Sequence, residues 1–364
     1  MRRRWQLASS LVLALAYAAT AAPAEVSERA RRLLDDAVRA SADPSTDQSA
    51  RFGAVLEAAP HWTPGLMDYA IAIDRAGKLS EAEAAYRVAA AGDGFPEVRF
   101  DAAARAASIA LDRGDIAAAR SALDLARAAL PDDAAPLVLE SQIALASRDL
   151  PSAQTAARAA LMRDPEDVDA LCALARVDLA QRNLGTAKIL ATRAARLDPQ
   201  DAEPLVVETE IARANADPAA ELLAARAAVE ADGASATAAL VLGRALFERG
   251  LQSEALEQLA RAVQLGPESA ASRLALAVAL AAQGDKQQAA AQLSVAARLA
   301  PGWPEIHLEL ARLREAAGDA KAALAEAKVF LRLSSGAPVD HPVHALVQRC
   351  EDALKTRTQA SVVQ

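Results

Sequence analysis

Four histidines, two cysteines and a scatter of carboxylates are the side chains with which this 364-residue chain could do chemistry. The histidines are His61, His307, His341 and His344, and only the last two stand close, either side of Pro342 with Asp340 before them. A metal needs several ligands converging on it. One acid beside two imidazoles is not a strong ligand set, so no metal is expected. The chain has no P-loop, GxGxxG, GxSxG or HExxH motif. No nucleophile stands with a base and an orienting group. Catalytic residues, cofactors and enzymatic activity are therefore not expected.

The order in the chain lies in its spacing. Pro131, Pro165 and Pro199 are 34 residues apart; Gly233, Pro267 and Pro301 continue the series and Ser335 completes it. Backwards, Gly94 and Pro60 keep the same interval, with three extra residues between Gly94 and Pro131. Twelve residues before each mark a small residue recurs (Ala82, Ala119, Ala153, Ala187, Ala255, Ala289, Ala323), with Glu221 as the exception. Five residues before it stand Ala89, Ala126, Ala160, Ala194, Ala228, Ala262 and Ala296, then Phe330. Between these lies a core slot running from Tyr86 and Leu123 to Leu293 and Ala327. An earlier small slot reads Ala70, Ala107, Ser141, Ala175, Thr209, Gly243, Ala277, Ala311. Glycine turns sit between the two halves of a unit at Gly77, Gly114, Gly250, Gly284 and Gly318, while Asn215-Ala216-Asp217-Pro218 replaces one of them.

This pattern resembles the tetratricopeptide repeat (TPR), two antiparallel helices that pack closely where small residues stand. The fold class expected is all-α: a TPR superhelical solenoid of about eight to nine helix-turn-helix units with a C-terminal capping helix. Residues 25–62 read as a degenerate N-terminal capping repeat, 63–337 as the array, 338–357 as the capping helix and 358–364 as a frayed tail. Asp93-Gly94-Phe95-Pro96 carries the insertion and is expected to lengthen a loop. The weak fifth unit reads either as drift or as a hinge. Cys172 and Cys350 fall in well-separated repeats, so buried thiols are expected ahead of a disulfide. Trp62 and Trp303 share one slot, either packed between repeats or serving as partner anchors.

Composition supports the helical reading. Aromatics are 3% of the chain and alanine dominates the apolar residues; alanine is the best helix former but buries little area per residue. Residues 1–24 read as a secretory signal peptide, with Arg2-Arg3-Arg4, an apolar stretch from Leu7 to Ala19, and small residues before the cleavage positions. That implies an exported, periplasmic bacterial protein; the alternative is an inner-membrane anchor left uncleaved. No stable membrane span is expected in the mature chain. The formal charge of −8 argues against a nucleic-acid partner.

The resemblance to TPR arrays also implies a groove lined by the first helix of each unit. One groove position is then Ile71, Ser108, Gln142, Arg176, Glu210, Arg244, Val278 and Arg312. Its neighbour is Asp74, Leu111, Leu145, Leu179, Arg213, Phe247, Ala281 and Glu315. Arg176, Glu210, Arg213, Arg244, Phe247 and Arg312 form the expected partner-binding set. The arginines suit an acidic peptide or polymer, unless Glu210, Glu248 and Glu315 neutralise them from within. Residues 163–180 and 187–199 are also similar to TPR lipoproteins of the bacterial adventurous-gliding motility apparatus, although a lipidation cysteine is missing. The function expected is a non-enzymatic scaffold that binds an envelope protein or peptide, as part of a gliding-motility or other envelope complex. An assembly factor for outer-membrane proteins or exported polysaccharide is one alternative. A regulatory subunit of an envelope enzyme is another.

Overall fold

The computed structural model describes residues 28–40, 49–58, 63–75, 78–334, 338 and 341–362. The signal-peptide segment, His61, Trp62, Gly77 and Asp340 lie outside the described residues. The described residues form 19 helices and no strand. They divide into two compact units, one running to residue 238 apart from the turn 112–114, the other from 239 onward.

In the first unit, helices Thr63–Arg75 and Leu79–Ala91 form a hairpin. So do Ala135–Ala146 with Leu150–Arg163, Val168–Ala180 with Leu184–Leu197, and Ala202–Ala214 with Pro218–Ala231. Before them stand Glu28–Ala40 and Ser49–Ala58, with Ala30, Leu34, Ala37 and Val55 buried. The second unit repeats the hairpin in Ala270–Gln283 with Lys286–Leu299 and in Pro304–Ala316 with Ala320–Leu333.

The small slots are the places where paired helices touch. Ala70, Ala107, Ala175, Ala277 and Ala311 on first helices are fully buried, as are Ala82, Ala119, Ala153, Ala187, Ala255, Ala289 and Ala323 on second helices. Residue sizes in a hairpin are complementary. At Gly243 an added Cβ would lie 2.6 Å from Leu259 Cγ, so in that hairpin the position of Leu259 leaves room only for glycine. Ser141 and Thr209 fit where the core slot holds Ala157 and Ala225. The Ser141 hydroxyl donates to the Ala153 carbonyl at 2.9 Å, and that of Thr209 to Leu205 at 2.8 Å, so neither oxygen is buried without a partner.

Seven hairpin turns lie within the described residues and have one form. Residues 114, 148, 182, 216, 250, 284 and 318 all take positive φ. The amide of the residue after the positive-φ position donates back to a carbonyl in the last turn of the first helix, as with Asp149 to Ala144 at 2.9 Å and Asp285 to Leu280 at 3.0 Å. This closes a left-handed helix C-terminus of the Schellman type. The donating residue is also the N-cap of the second helix. The carboxylates of Asp115, Asp149, Asp217, Asp285 and Asp319 accept the amides of Ala118, Ser152, Ala220, Gln288 and Ala322. One residue thus ends one helix and starts the next, which keeps the connection short.

Two expectations need correction. The insertion at 93–96 does not lengthen the loop. Pro96 opens a helix of 17 residues, Pro96–Asp112, because proline is well suited to the first helical position, where no amide is needed. The C-terminal helix does not stop at 357 with a frayed tail after it; it runs from Pro342 to Val362, and no glycine or proline between those positions interrupts it. Its residues Val343, Leu346 and Cys350 are buried against Ala327 and Phe330 of the last hairpin. No helix among the described residues is long and apolar enough to cross a membrane.

Candidate functional site

In the first unit the expected groove residues Arg176 and Glu210 lie together. Arg176, on Val168–Ala180, donates through Nε to Glu210 Oε2 at 3.1 Å and through Nη1 to Glu203 Oε1 at 2.5 Å. Both glutamates belong to the first helix of the following repeat, Ala202–Ala214, and the arginine side chain is 24% exposed. Burial alone would lower the pKa of this guanidinium; Glu203 and Glu210 outweigh it and raise it. Arg176 is therefore a fixed cation spanning two repeats, held by two fixed anions.

Beside it is a cavity of about 20 Å³ lined by Gln142, Leu145, Asp169, Cys172, Arg176 and Glu203. That volume holds about one water and no larger ligand. Burial and then the Glu203 charge push the Cys172 thiol pKa well up, which removes it as a nucleophile. Cys350 is also a buried free thiol, so both cysteines are reduced and inert.

Arg213 is taken up inside its own repeat. Its Nε donates to Glu221 Oε1 at 2.7 Å, and Glu221 is 5% exposed at its side chain. Glu221 is the exception in the small-residue series, and here it has a cause: a buried ion pair replaces the alanine contact. The neighbouring groove position Asp74 is likewise internal, accepting from Arg105 at 2.7 Å and from the Tyr86 hydroxyl at 3.2 Å.

In the second unit Arg244 is exposed and Phe247 half-buried. Arg312, 48% exposed, pairs with Glu309 at 2.6 Å. The expectation that Glu315 neutralises Arg312 is corrected: Glu315 accepts two bonds from Arg349 of the C-terminal helix, at 2.6 and 3.0 Å. Glu309 and Glu315 are equally spaced from Arg312, and the forked guanidinium of Arg349 takes one of them. Trp303 is half-buried at the N-cap of Pro304–Ala316. His307 sits between Glu326 at 2.7 Å and the Pro301 carbonyl at 3.1 Å. His341 stacks on Phe330 at 5.1 Å and accepts the Val343 amide through Nδ1. The two histidine side chains are thus taken up by contacts within the fold.

Residue patterning alone missed Glu203 and Asp169. They lie one helical turn pair before the groove positions Glu210 and Arg176, and that seven-residue spacing was the signal that could have found them.

Comparison with known proteins agrees with this geometry. The tetratricopeptide repeat family model matches residues 138–202, 211–270 and 253–304. Curated protein sequences give no match. Among solved structures, the APC/C heterotetramer Cut9–Hcn1 is similar with a TM-score of 0.55 at 13% identity, over 95% of this chain and 68% of that one. PilF of Pseudomonas aeruginosa gives 0.47 at 22% identity over 54% of this chain and 87% of its own. A tetratricopeptide repeat protein of Parabacteroides merdae gives 0.45 at 14% identity, over 69% and 98%. The matched segments run through both units, and the same hairpins and small slots extend to either side of them. The chain carries tetratricopeptide repeats, and its fold is the all-helical solenoid of such repeats.

Proposed function

We propose that this protein is a non-enzymatic scaffold that docks an extended segment of another protein on the first-helix face of its repeats. TPR proteins generally mediate protein–protein interactions. One observation carries the reading: the clamp of Arg176 between Glu203 and Glu210 fixes charged groups across consecutive repeats, beside a cavity of only about 20 Å³. Such a face suits a polypeptide laid along it better than an enclosed small molecule. Arg176 and Glu210 are the docking residues of the first unit, with Arg213 held by Glu221 inside its repeat; Arg244, Phe247 and Arg312 are those of the second. An acidic segment would have to displace Glu203 and Glu210 from Arg176. The surplus of carboxylates there (Asp169, Glu203, Glu210) favours a segment with basic side chains.

The leader-like sequence at 1–24 supports export, and the partner is then an envelope protein. Membership of a gliding-motility complex rests on resemblance over 163–199. The test is crosslinked affinity capture from envelope extracts with the parent protein and with Glu203→Gln/Glu210→Gln. Recovery of a defined set of envelope proteins, lost in the double variant at unchanged helix content, supports the reading. Equal recovery by both overturns the assigned face.

A further inference from the structure

Charge is segregated along the second helices of repeats three and four and the first helices that follow them. The first helices Val168–Ala180 and Ala202–Ala214 carry Asp169, Asp178, Glu203, Glu208 and Glu210 against Arg176 and Arg213. The second helices Leu150–Arg163 and Leu184–Leu197 contain no Asp or Glu and carry Arg158, Arg163, Lys188, Arg193 and Arg196. All five cations are exposed. Arg163 reaches the Pro131 and Asp133 carbonyls and Arg193 the Pro165 carbonyl, which orders them and leaves their charge uncompensated. Arg158, Lys188 and Arg196 make no ion pair. The nearest acids in sequence lie in the turns, where Asp164 and Asp198 accept the amides of Glu166 and Gln200.

Large apolar side chains stand among these cations. Met162 is 80% exposed and Ile189 71%. Leu223, 34 residues after Ile189 and so in the same slot of the next second helix, is 73% exposed. The opposite sides of the two basic helices are sealed by Ala153, Ala157, Ala160, Ala187, Ala191 and Ala194, all fully buried. The outer face is thus rigid, cationic and studded with protruding aliphatic groups. A folded partner would need a recess for each protrusion. A fluid lipid interface accepts them without one, while its phosphates meet the cations.

We propose that the outer face of helices Leu150–Arg163 and Leu184–Leu197 is a peripheral docking surface for an anionic phospholipid membrane, with Ile189 and Met162 entering the headgroup layer. This site is separate from the docking face of the first helices, and either can fail without the other.

The test uses the full chain and sedimentation with vesicles of phosphatidylcholine alone or with about 30% phosphatidylglycerol. Binding to the anionic vesicles should exceed that to neutral ones and fall steeply with salt. Replacing Arg158→Gln, Lys188→Gln and Arg196→Gln should remove about fivefold per charge, on the order of a hundredfold in all. Ile189→Ser with Met162→Ser should remove about tenfold more at low salt. Because both native thiols are buried, an Ile189→Cys variant can be labelled selectively with an environment-sensitive dye. Its emission should shift to the blue on anionic vesicles only. Equal partition into both vesicle types, or an unshifted dye, overturns the proposal. Binding to soluble polyglutamate without any anionic-vesicle increment overturns it in favour of an acidic protein partner.

Discussion

Repeats three to five and the glycine-turned repeats make the same backbone turn from different residues. Gly114, Gly250, Gly284 and Gly318 take positive φ in four hairpins, and Arg148, Arg182 and Ala216 take it in the other three, with φ of 61°, 65° and 53°. A side chain in the left-handed region costs about 1 kcal/mol relative to glycine. The turn therefore does not depend on its own residue. It is imposed by the buried slots on either side and, after Arg148 and Ala216, by the carboxylate caps of Asp149 and Asp217. Two of these three repeats, the third and the fifth, hold Ser141, Thr209 and Glu221 at contacts where the others place alanine or glycine. The middle of the array departs from the simplest packing and replaces it with paired polar groups.

Four measurements break or sharpen this contrast. The largest effect concerns a buried charge without a partner. Asp68, at 7% exposure, has one carboxylate oxygen unsatisfied, and burial raises its pKa from 3.8 to about 7. Between those values the folded protein keeps a proton that the unfolded chain releases. Stability should thus fall as pH rises from about 4 to about 7 and level off above, by on the order of 3 kcal/mol. Asp68→Asn should flatten that slope in urea titrations; an unchanged slope would show that Asp68 is not its source. Next, Ala175→Leu should cost about 3 kcal/mol through overpacking of a fully buried contact, seen as a lower urea midpoint.

Glu221→Ala places the expected alanine in repeat five but removes the buried carboxylate that holds Arg213. It should destabilise by about 2 kcal/mol, discounted because Arg213 is partly exposed. Adding Arg213→Leu should recover most of that loss, whereas a simple packing defect would not be rescued. Smallest is the turn itself. Arg148→Gly, Arg182→Gly and Ala216→Gly should each stabilise by about 1 kcal/mol, and Gly250→Ala should destabilise by a similar amount. If the glycine variants are neutral or destabilising, the left-handed turns are not where strain resides.

Much of the fold was legible because close packing leaves a mark in residue size. Ala82 through Ala323 and Ala70 through Ala311 fall at one interval, and the structure buries them all. The arginine turns were hidden because Arg148 and Arg182 carry no compositional sign of positive φ; only their distance from Gly114 gives them away. Proline marks gave no warning that Pro96 would lengthen a helix, since the residue can end one helix or begin another. The site was legible as a face and not as pairs. Arg312 has glutamates three residues away on both sides, and which one it keeps is decided by Arg349 from a helix beyond the repeats.

The measurement that bears most directly on the scaffold reading is site-specific photocrosslinking in envelope extracts. A photoreactive residue would replace exposed Gln142, on a first helix beside the Arg176 clamp, or exposed Thr155, on the second helix of the same repeat. The account predicts a discrete protein adduct from position 142 that disappears with Glu203→Gln/Glu210→Gln, and none from position 155. Adducts from position 155 alone, or from neither position, would contradict it.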